Sequence, residues 1–506
     1  MEREYLIAYD IGTSGTKASL FSVDGALVTS CTEPYDVYFD RGGVSEQDPD
    51  DWWGAVVNAT GKLIAGIDAS HVRAVSFSGQ MMGCTFVDET GTPLRRSIIW
   101  SDTRATAQEK RLIDRLGAAH GYELTGHRLS CSYSLAKLMW VRENQKDIYD
   151  RTYKVLNSKD YIILKMTGAF VTDYSDGTAT NGVDIRKRQW SEEIFEAADV
   201  SIDKMPAFYN STDVAGRMSA EAAAILGLPE GIPVVCGGGD GPCATLGAGC
   251  IHENQFYLTF GTSAWIAGTT KDVIPDPDRV LFTFAHVIPD RYSSTGTMQA
   301  AGASYSYIKN TFCDMESMKA KESGQGVYDV LNAMIASSPV GAKNLMYLPY
   351  LTGERSPRWN PAATGSFIGM TMEHNKSDYL RAVIEGVAMN LGVILRSFRS
   401  YTDIHELILT GGGAKGDIVT KILADVLGCG MIRPDHVEEA TSMAAAVLAG
   451  VGSGIYNDFE VINSYLKYSE PMMPDPDNHA FYEKRMKVFD DVYYALEPLF
   501  PAISDI

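Results

Sequence analysis

The sequence predicts an α/β protein built from two domains that face each other across a cleft. A strand, a loop containing Gly-Thr-Ser and a returning strand occur at residues 5–23, and the pattern recurs at residues 255–267. A separate glycine loop, residues 411–416, follows a strand in the second half. At 506 residues the chain is also too long for one ordinary core. The repeated hairpin therefore favours an ancient duplication into two similar domains.

Composition and charge exclude several classes of protein. Hydrophobic residues make up 45% of the chain and charged residues 21%, values typical of a globular protein. The formal charge of −20 argues against binding to nucleic acid or to an anionic membrane surface. The apolar run at residues 5–9 is too short for a signal peptide, and no run approaches the roughly 18 residues that span a bilayer. We therefore expect a cytoplasmic protein that binds neither nucleic acid nor membrane.

The cysteines and histidines show no metal-binding spacing. None of the eight cysteines forms a C-x-x-C pair, and none of the nine histidines forms an H-x-x-x-H pair. We expect reduced, packed thiols rather than disulfides or a structural metal site.

The first hairpin carries a loop that suits phosphate. Residues 5–9 and 18–23 form its strands, and residues 26–31 form a third strand. The loop between the first two strands, residues 10–17, is rich in hydroxyl groups and glycine and contains Lys17. It is not a P-loop, because a strand rather than a helix follows it. Lys17 fits a phosphate contact and a solvated strand position equally well.

The next segment combines a helix with strand ends that could line a polar ligand. A helix begins within residues 45–53 and runs to about Ile67, and a strand at residues 72–78 ends in Gly79–Gly83. A further strand includes residues 86–88. The polar and aromatic residues at these strand ends suit a small polar ligand. The two adjacent methionines at positions 81 and 82 are, however, more often packing residues than recognition residues.

A glycine-rich stretch in the middle of the chain follows a segment that reads as largely helical, residues 105–225. Residues 233–242 combine a short strand, a bare glycine loop and a helix start, with Asp240 among the glycines. One interpretation is a phosphate cradle in which Asp240 is incidental or binds metal. The other is a structural connection with a capping aspartate.

The second half contains its own ligand-binding candidate. Residues 411–416 match the dinucleotide pattern G-x-G-x-x-G between a strand and a helix at residues 417–427. Rossmann domains carry that pattern on their first strand, whereas this loop lies late in its half. A glycine loop beside an adenine or ribose fits as well. A small-residue helix at residues 436–454 and an acidic helical tail complete the chain.

Together these parts match the requirements of phosphoryl transfer. Catalysis of this reaction is mostly positioning and charge neutralisation, with a base that orients the attacking hydroxyl. Loops from both domains can hold the phosphates, while Asp10 and Asp240 can serve Mg²⁺ and the base. Mg²⁺ is typically held by one or two carboxylates together with phosphate oxygens, so no dedicated cage is needed.

Several motifs, in the same order along the chain, resemble those of the FGGY carbohydrate kinases. The resemblance extends over roughly residues 4–455 and implies two actin-like (ribonuclease-H-like) domains that close on ATP and a sugar. The implied divisions are residues 1–250 for the sugar and the first phosphate loop, 251–455 for the nucleotide, and 456–506 as a helical tail on the second domain. The motifs are Asp10–Lys17, Ser45–Pro49, Trp100–Arg104, Ser132–Trp140, Gly353–Pro357, Gly365–Met370 and Asp378–Glu385.

The resemblance also implies roles for individual residues. Asp240 corresponds to the catalytic base, and Asp10 corresponds to the acid of the metal and phosphate site, so that Asp10 and Asp240 are the metal candidates. The implied ATP-binding residues are Thr13, Ser14, Gly15, Lys17, Gly261, Thr262, Gly302, Ser306, Gly413 and Asp417. Ser306 and Asp417 depart from the glycerol kinase pattern. The implied sugar-facing residues are Met81, Met82, Trp100, Asp240 and Gly241. A homodimer is compatible with the resemblance.

The motifs that bear on the choice of sugar differ from the usual xylulokinase pattern. Xylulokinases usually have Gln-Met-His-Gly where this chain has Gln80–Gly83, and Asp-Asn where it has Asp240-Gly241. Losing two hydrogen-bonding side chains from a polar pocket can change the substrate. Xylulose or a related ketose is the first choice. Gluconate is second, because Asp240-Gly241, Trp100–Arg104 and Arg358–Pro361 resemble gluconate kinases, and polyols, other pentuloses or an autoinducer-like ligand follow. The pair Met81-Met82 disfavours glycerol.

The implied reaction is transfer of the ATP γ-phosphoryl group to a primary hydroxyl of the sugar, with Asp240 as the base. Two other classes stay open. Actin-like folds also serve as nucleotide-dependent regulators, so a sugar sensor is one alternative. An oxidoreductase that binds NAD at residues 411–416 is the other.

Overall fold

The computed structural model describes residues 3–435 and 439–504. The longest strands of the first half belong to its central sheet. The strands of this half are β1 (Tyr5–Ile11), β2 (Gly15–Ser22), β3 (Leu27–Pro34), β4 (Tyr38–Asp40), β5 (Val44–Gln47), β6 (Val72–Gly79), β7 (Thr85–Val87), β8 (Ser97–Ile98), β9 (Lys154–Leu156), β10 (Val171–Asp173), β11 (Val183–Asp184), β12 (Gln189–Trp190), β13 (Ala207–Tyr209), β14 (Val214–Arg217), β15 (Pro233–Val235) and β16 (Gly238–Gly239).

The helices of the first half lie mostly between β5 and β15. They are α1 (Pro49–Ile64), α2 (Thr106–Leu116), α3 (Ala118–Thr125), α4 (Ser134–Asn144), α5 (Lys146–Arg151), α6 (Ser158–Thr167), α7 (Tyr174–Thr178), α8 (Glu192–Ala198), α9 (Ala220–Leu226) and α10 (Asp240–Gly247).

The second half repeats the mixture of strands and helices. Its strands are β17 (Phe256–Phe260), β18 (Ala264–Thr270), β19 (Phe282–Ala285), β20 (Tyr292–Met298), β21 (Met346–Leu348), β22 (Ser366–Ile368), β23 (Glu406–Thr410) and β24 (Gly430–Ile432). Its helices are α11 (Gly302–Phe312), α12 (Asp314–Ser323), α13 (Val327–Ser337), α14 (Lys376–Arg399), α15 (Asp417–Leu427), α16 (Ala440–Gly452), α17 (Ile462–Tyr465), α18 (Pro476–Leu496) and α19 (Phe500–Ser504).

Each half is built on one central sheet that starts from the predicted hairpin. In the first sheet the order is β14-β15-β6-β1-β2-β3, with β16 paired to β6. In the second sheet the order is β19-β20-β18-β17-β23-β24. In both sheets the hairpin is antiparallel and its first strand has a parallel neighbour, β6 or β23. Both predicted hairpins are therefore confirmed, and they occupy matching places in the two sheets.

The first sheet is covered on both faces. Leu6, Ile7 and Ala8 are fully buried at consecutive positions of β1, so side chains on both sides of the strand meet protein. Ile7 packs with α1, whereas Ala8 packs with α16. An apolar run without alternation is the pattern that such a doubly covered strand requires.

Helix α16 comes from the second half of the chain but packs on β1 and β6 of the first sheet. It crosses α10, where a Cβ atom on Gly247 would lie 1.9 Å from the carbonyl oxygen of Ala440. The tail after α16 contacts both halves. Ile462 packs beside α16, while Tyr482 and Phe489 of α18 belong to the core of the second half. The chain thus crosses between the domains more than once.

One prediction about helices needs correction, and another is confirmed. The segment at residues 105–225 contains α2–α9, but strands β9–β14 lie between these helices. Those strands have two to four residues, too short to show an alternating pattern. The helix predicted to start within residues 45–53 begins at Pro49, because Asp48 caps it and a proline is preferred in the first turn. The first three residues of the predicted helix at 436–454 lie outside the described residues.

The cysteines are free thiols, and six of the eight are buried, as predicted. Among the helices that the structure describes, none has both the length and the apolar character needed to cross a membrane.

A buried charge cluster holds the middle of the first domain together. The ammonium group of Lys159 lies 2.6 Å from Asp160, 2.9 Å from Asp173 and 3.2 Å from Asp176, and all four side chains are fully buried. Burial alone would lower the pKa of Lys159, but the three carboxylates raise it well above its ordinary value. Burial and the neighbouring carboxylates hold the pKa of Asp176 well above its usual range. One lysine thus stabilises the carboxylates of α6, β10 and α7.

We predict that Lys159→Met destabilises the protein by about 3–5 kcal/mol, because it leaves buried carboxylates without their cation. Lys146→Met is the matched control, since its ion pair with Asp150 is solvent-exposed and exposed pairs contribute less than about 1 kcal/mol. Urea unfolding monitored by circular dichroism measures both. Equal, small changes in the free energy of unfolding of the two variants would contradict the stabilising role of Lys159.

Candidate active site

A cavity of about 460 Å³ lies between the two halves and brings together the predicted sugar-facing residues. Asp10 lines it as well. The sugar candidates Met81, Met82, Trp100, Asp240 and Gly241 all lie on its wall.

Asp240 is the first residue of α10. Its carboxylate faces the cavity, and one oxygen, Oδ1, accepts a hydrogen bond from the Gly241 N–H at 2.8 Å. Surrounding protein, followed by the negative charge of Asp10, raises the pKa of Asp240 to about 7. A carboxyl group with this pKa is half ionised near neutral pH, which suits a group that accepts and releases a proton.

The glycines before Asp240 allow the chain to approach β6 closely. Gly237 has a φ of +69°, and a Cβ atom there would lie 2.2 Å from the carbonyl oxygen of Phe77. Gly238 and Gly239 pair with the end of β6 as the short strand β16. A Cβ atom on Gly239 would lie 2.6 Å from the side chain of Met81. The glycine loop is therefore needed for packing, and it places Asp240 beside the end of β6.

The charge cluster of α6 and α7 connects directly to this loop. The Gly239 N–H donates a hydrogen bond of 2.9 Å to Ser175 Oγ, and the Ser175 hydroxyl donates one of 2.5 Å to Asp173. Asp173 in turn is held by Lys159. The backbone next to Asp240 is thus fixed by a buried network of hydrogen bonds.

Asp10 lies near the end of β1 and is held by the first turn of α16. Thr441 Oγ1 donates a hydrogen bond of 2.7 Å to Asp10 Oδ2. Burial raises the pKa of Asp10, and the hydrogen bond from Thr441 opposes that effect. The influence of Asp10 on the pKa of Asp240 shows that the two carboxylates interact.

A second cavity of about 870 Å³ adjoins the first. Its wall includes Gly411, Gly412 and Lys415 of the predicted glycine loop, together with Arg433. Residues that line both cavities are Ala244, Tyr257, Trp265 and Thr441. The loop at residues 411–416 therefore faces a space continuous with the surroundings of Asp10 and Asp240.

The first predicted phosphate loop touches the sugar-facing residues. Thr13 Oγ1 accepts a hydrogen bond of 2.9 Å from the Trp100 indole N–H. Ser14 lies in the same turn, and Gly15 begins β2 with no room for a side chain, because a Cβ atom would lie 2.6 Å from a backbone oxygen. Lys17 forms an ion pair of 2.6 Å with Glu439, just before α16.

The second predicted phosphate loop packs on the start of α11. The Gly302 N–H donates a hydrogen bond of 2.9 Å to the carbonyl of Gly261, and the carbonyl of Thr262 accepts one of 2.9 Å from Ala303. Ser306, one turn further along α11, bonds to the Tyr328 hydroxyl at 3.1 Å. The structure therefore brings Gly261, Thr262 and Gly302 together.

The remaining nucleotide candidates lie near the second cavity. Gly413 packs on Phe260 so closely that a Cβ atom would lie 2.0 Å from its ring. Asp417 forms an ion pair of 2.8 Å with Arg433, which lines the cavity. The predicted ATP residues are not among the described residues that line either cavity, and their roles remain predictions.

Part of the first cavity's wall was missed by sequence reasoning. Arg355 and Trp359 lie in motifs that pointed to the family but carried no assigned role. In β19 and β20 the alternating pairs Phe282/Phe284 and Thr295/Thr297 face the cavity, a spacing that marks one face of a strand. Other missed residues are Arg128, Ser130, Ser132 and Tyr133, just before and at the start of α4.

Comparisons with known proteins identify the family of the chain. Residues 5–247 match the model of the FGGY family of carbohydrate kinases, N-terminal domain, and residues 256–453 match the C-terminal domain of the same family. A xylulose kinase of Staphylococcus epidermidis is 32% identical over 497 residues, which covers 97% of each chain. A gluconokinase of Bacillus licheniformis is 28% identical over 503 residues, covering 99% of this chain and 98% of the relative.

Solved structures show the same similarity. A ligand-bound xylulose kinase from Lactobacillus acidophilus and a gluconate kinase from that organism both superpose with a TM-score of 0.91 at 26% identity, covering 99% of this chain and all of theirs. These matches confirm the expected α/β fold of two actin-like domains. The chain belongs to the FGGY family of carbohydrate kinases, and it is a phosphotransferase with an alcohol group as acceptor.

Proposed function

We propose that the protein transfers the γ-phosphoryl group of ATP to a primary hydroxyl of a ketose, with D-xylulose as the first candidate and the cytoplasm as its location. The observation that carries this proposal is the position of Asp240 on the wall of a sugar-sized cavity, which shares Ala244 and Thr441 with the larger cavity beside the glycine loop. The xylulose kinases among its relatives support the choice of sugar.

In this reaction Asp240 is the base. Its Oδ1 is occupied by the Gly241 N–H, so Oδ2 accepts the proton of the acceptor hydroxyl. The hydroxyl oxygen attacks the γ-phosphorus of ATP while the bond from that phosphorus to the β,γ-bridging oxygen breaks, and ADP leaves. The start of α10 favours a negative charge at this position, which helps Asp240 to remain available as a carboxylate. The cavity between the domains would hold the acceptor hydroxyl next to Asp240.

ATP binding is assigned to the two hairpin loops and to the loop at residues 411–416. Hydroxyl groups and backbone N–H groups of these loops suit phosphate oxygens. The pair Asp10 and Asp240 fits Mg²⁺, because the charge of Asp10 raises the cost of ionising Asp240 and a cation would offset that repulsion. Bound there, Mg²⁺ would neutralise charge on the β- and γ-phosphates.

Gluconate is the second candidate, and one observation favours it. Arg128 and Arg355 both line the acceptor cavity, and neither forms a salt bridge with a carboxylate among the described residues. Arg128 donates to the carbonyl of Arg279 and lies over the Trp359 ring, 4.6 Å from its centre. Guanidinium groups in a substrate cavity suit a carboxylate.

An ADP-release assay with ketoses, gluconate and polyols tests the proposed function. We expect ADP formation that depends on Mg-ATP and on the acceptor, with D-xylulose as the best substrate. Sugar binding without sugar-dependent ADP formation would instead indicate a regulator. Stabilisation against heat by NAD but not by Mg-ATP would favour an oxidoreductase.

Asp240→Asn is expected to lower kcat by about 10²–10⁴ while ATP binding is largely kept, because an amide cannot accept the hydroxyl proton. Steady-state ADP release gives kcat, and fluorescence titration with an ATP analogue gives the affinity. Asp68→Asn is the control, since Asp68 is an exposed capping residue. Turnover near that of the wild type in Asp240→Asn would refute the assignment.

Met82→His combined with Gly241→Asn is expected to shift the ratio of kcat/KM for D-xylulose to that for gluconate upward by about tenfold. The two changes restore the hydrogen-bonding side chains found in the xylulokinase pattern. Histidine tolerates the φ of +66° at position 82, and a Cβ atom on Gly241 meets no atom closer than 3.7 Å. An unchanged ratio would show that these positions do not determine the acceptor.

A further inference from the structure

Lys137 is a fully buried lysine that joins two walls of the acceptor cavity. It lies on α4, and its ammonium group donates hydrogen bonds to the carbonyls of Met82 at 2.8 Å and of Ser132 at 2.6 Å. Both Met82 and Ser132 line the cavity. One side chain therefore connects the loop after β6 with the loop before α4.

The loop after β6 needs this support. Met82 has a φ of +66°, in the left-handed region that costs free energy for a residue with a Cβ atom. The bond from Lys137 fixes the orientation of the strained residue's carbonyl. A second contact comes from the Ser134 hydroxyl, which donates to the carbonyl of Gly83 at 2.7 Å. The first turn of α4 thus serves as the anchor of this loop.

The wall that Lys137 supports also contacts the rest of the cavity. Met81, Met82 and Tyr133 pack in one apolar cluster with Phe284 of the second half. Tyr133 stacks on His127, with ring centres 4.5 Å apart. A shift of either loop would therefore move several residues that face the acceptor.

A charge at this buried position is costly. Burial lowers the pKa of Lys137 to about 8, and no carboxylate contacts its ammonium group among the described residues. The ionisable groups that face it are Cys84, Cys131, Asp102 and Arg104. Asp102 is itself paired with Arg104 at 2.7 Å. An apolar side chain would fill the space without the desolvation cost, so the lysine is explained by the two carbonyls that it holds.

We propose that Lys137 is a positioning residue that fixes the two loops of the acceptor cavity and thereby sets the affinity and selectivity for the sugar. It acts on acceptor binding rather than on ATP binding. The inference rests on the proposed function, because it takes the 460 Å³ cavity as the acceptor site.

The test compares Lys137→Met with Lys154→Met. Lys154 is a matched control because it also joins two carbonyls, those of Asp203 at 2.6 Å and Met205 at 2.9 Å, but neither of these residues lines the acceptor cavity. For Lys137→Met we expect kcat/KM for D-xylulose to fall by about 10–100-fold, mainly through KM. The KM for ATP stays within about twofold, and discrimination between D-xylulose and D-ribulose decreases. Lys154→Met changes none of these values.

A change in pH provides a readout that a purely structural role would not show. As pH rises through about 8, the ammonium of Lys137 loses its proton and its charge-assisted hydrogen bonds weaken. We expect the KM for the acceptor to rise severalfold between pH 7 and pH 9 in the wild type but not in Lys137→Met. Because the folded-state pKa lies below that of an ordinary lysine, this deprotonation does not itself lower the free energy of unfolding.

Hydrogen–deuterium exchange separates failure of this inference from failure of the proposed function. We expect faster exchange in peptides covering residues 80–84 and 129–133 of Lys137→Met, and no change there in Lys154→Met. Unchanged exchange, or equal KM values in the two variants, would overturn the role of Lys137 while leaving the kinase activity intact. Absence of acceptor-dependent ADP formation in the wild type would refute the proposed function, and the exchange result would still decide whether Lys137 orders the loops.

Discussion

The close contact between α10 and α16 is the constraint on which the site depends. Gly247 lies against the backbone of Ala440, so the two helices cross with no side chain between them. Asp240 begins α10, and Thr441 lies in the first turn of α16. Thr441 holds Asp10, which comes from the first strand of the chain. Three segments that are far apart in the sequence therefore deliver their polar groups to one place because two helices approach at backbone distance.

Placing the carboxylates of Asp10 and Asp240 close together costs free energy, and other contacts of the fold offset this cost. The negative charge of Asp10 repels that of Asp240, and this charge together with the surrounding protein raises the pKa of Asp240 to about 7. The Gly241 N–H and the Thr441 hydroxyl stabilise the ionised forms. The rigid support for Asp240 comes from the Lys159 cluster through Ser175, which is why a buried lysine among three aspartates lies directly behind the site.

The sequence predicted the parts of the site that have a local signal. The hairpins could be recognised from strand and loop composition. The glycines around Asp240 marked the place but left its role open, and the resemblance to the family supplied the expectation of a base. Lys159 and Lys137 could not be recognised, because a buried lysine and an exposed one look alike until distant partners such as Asp173 or the Met82 carbonyl are known. The cavity-facing residues of β19 and β20 were missed for the same reason. The packing of α16 on the first sheet is likewise a long-range contact that no local pattern encodes.

The two cavities share a wall that contains residues from both halves of the chain. Ala244 comes from α10, Tyr257 and Trp265 come from the second sheet, and Thr441 comes from α16. The Trp265 indole N–H donates to the Tyr257 hydroxyl at 2.9 Å, so these side chains of the second sheet are tied to each other. A rotation of the second sheet against α10 would move Tyr257 and Trp265 relative to Asp240 and Ala244 and would alter both cavities together. Under the proposed function, acceptor and nucleotide would therefore influence each other through the relative position of the domains, without direct contact between the two ligands.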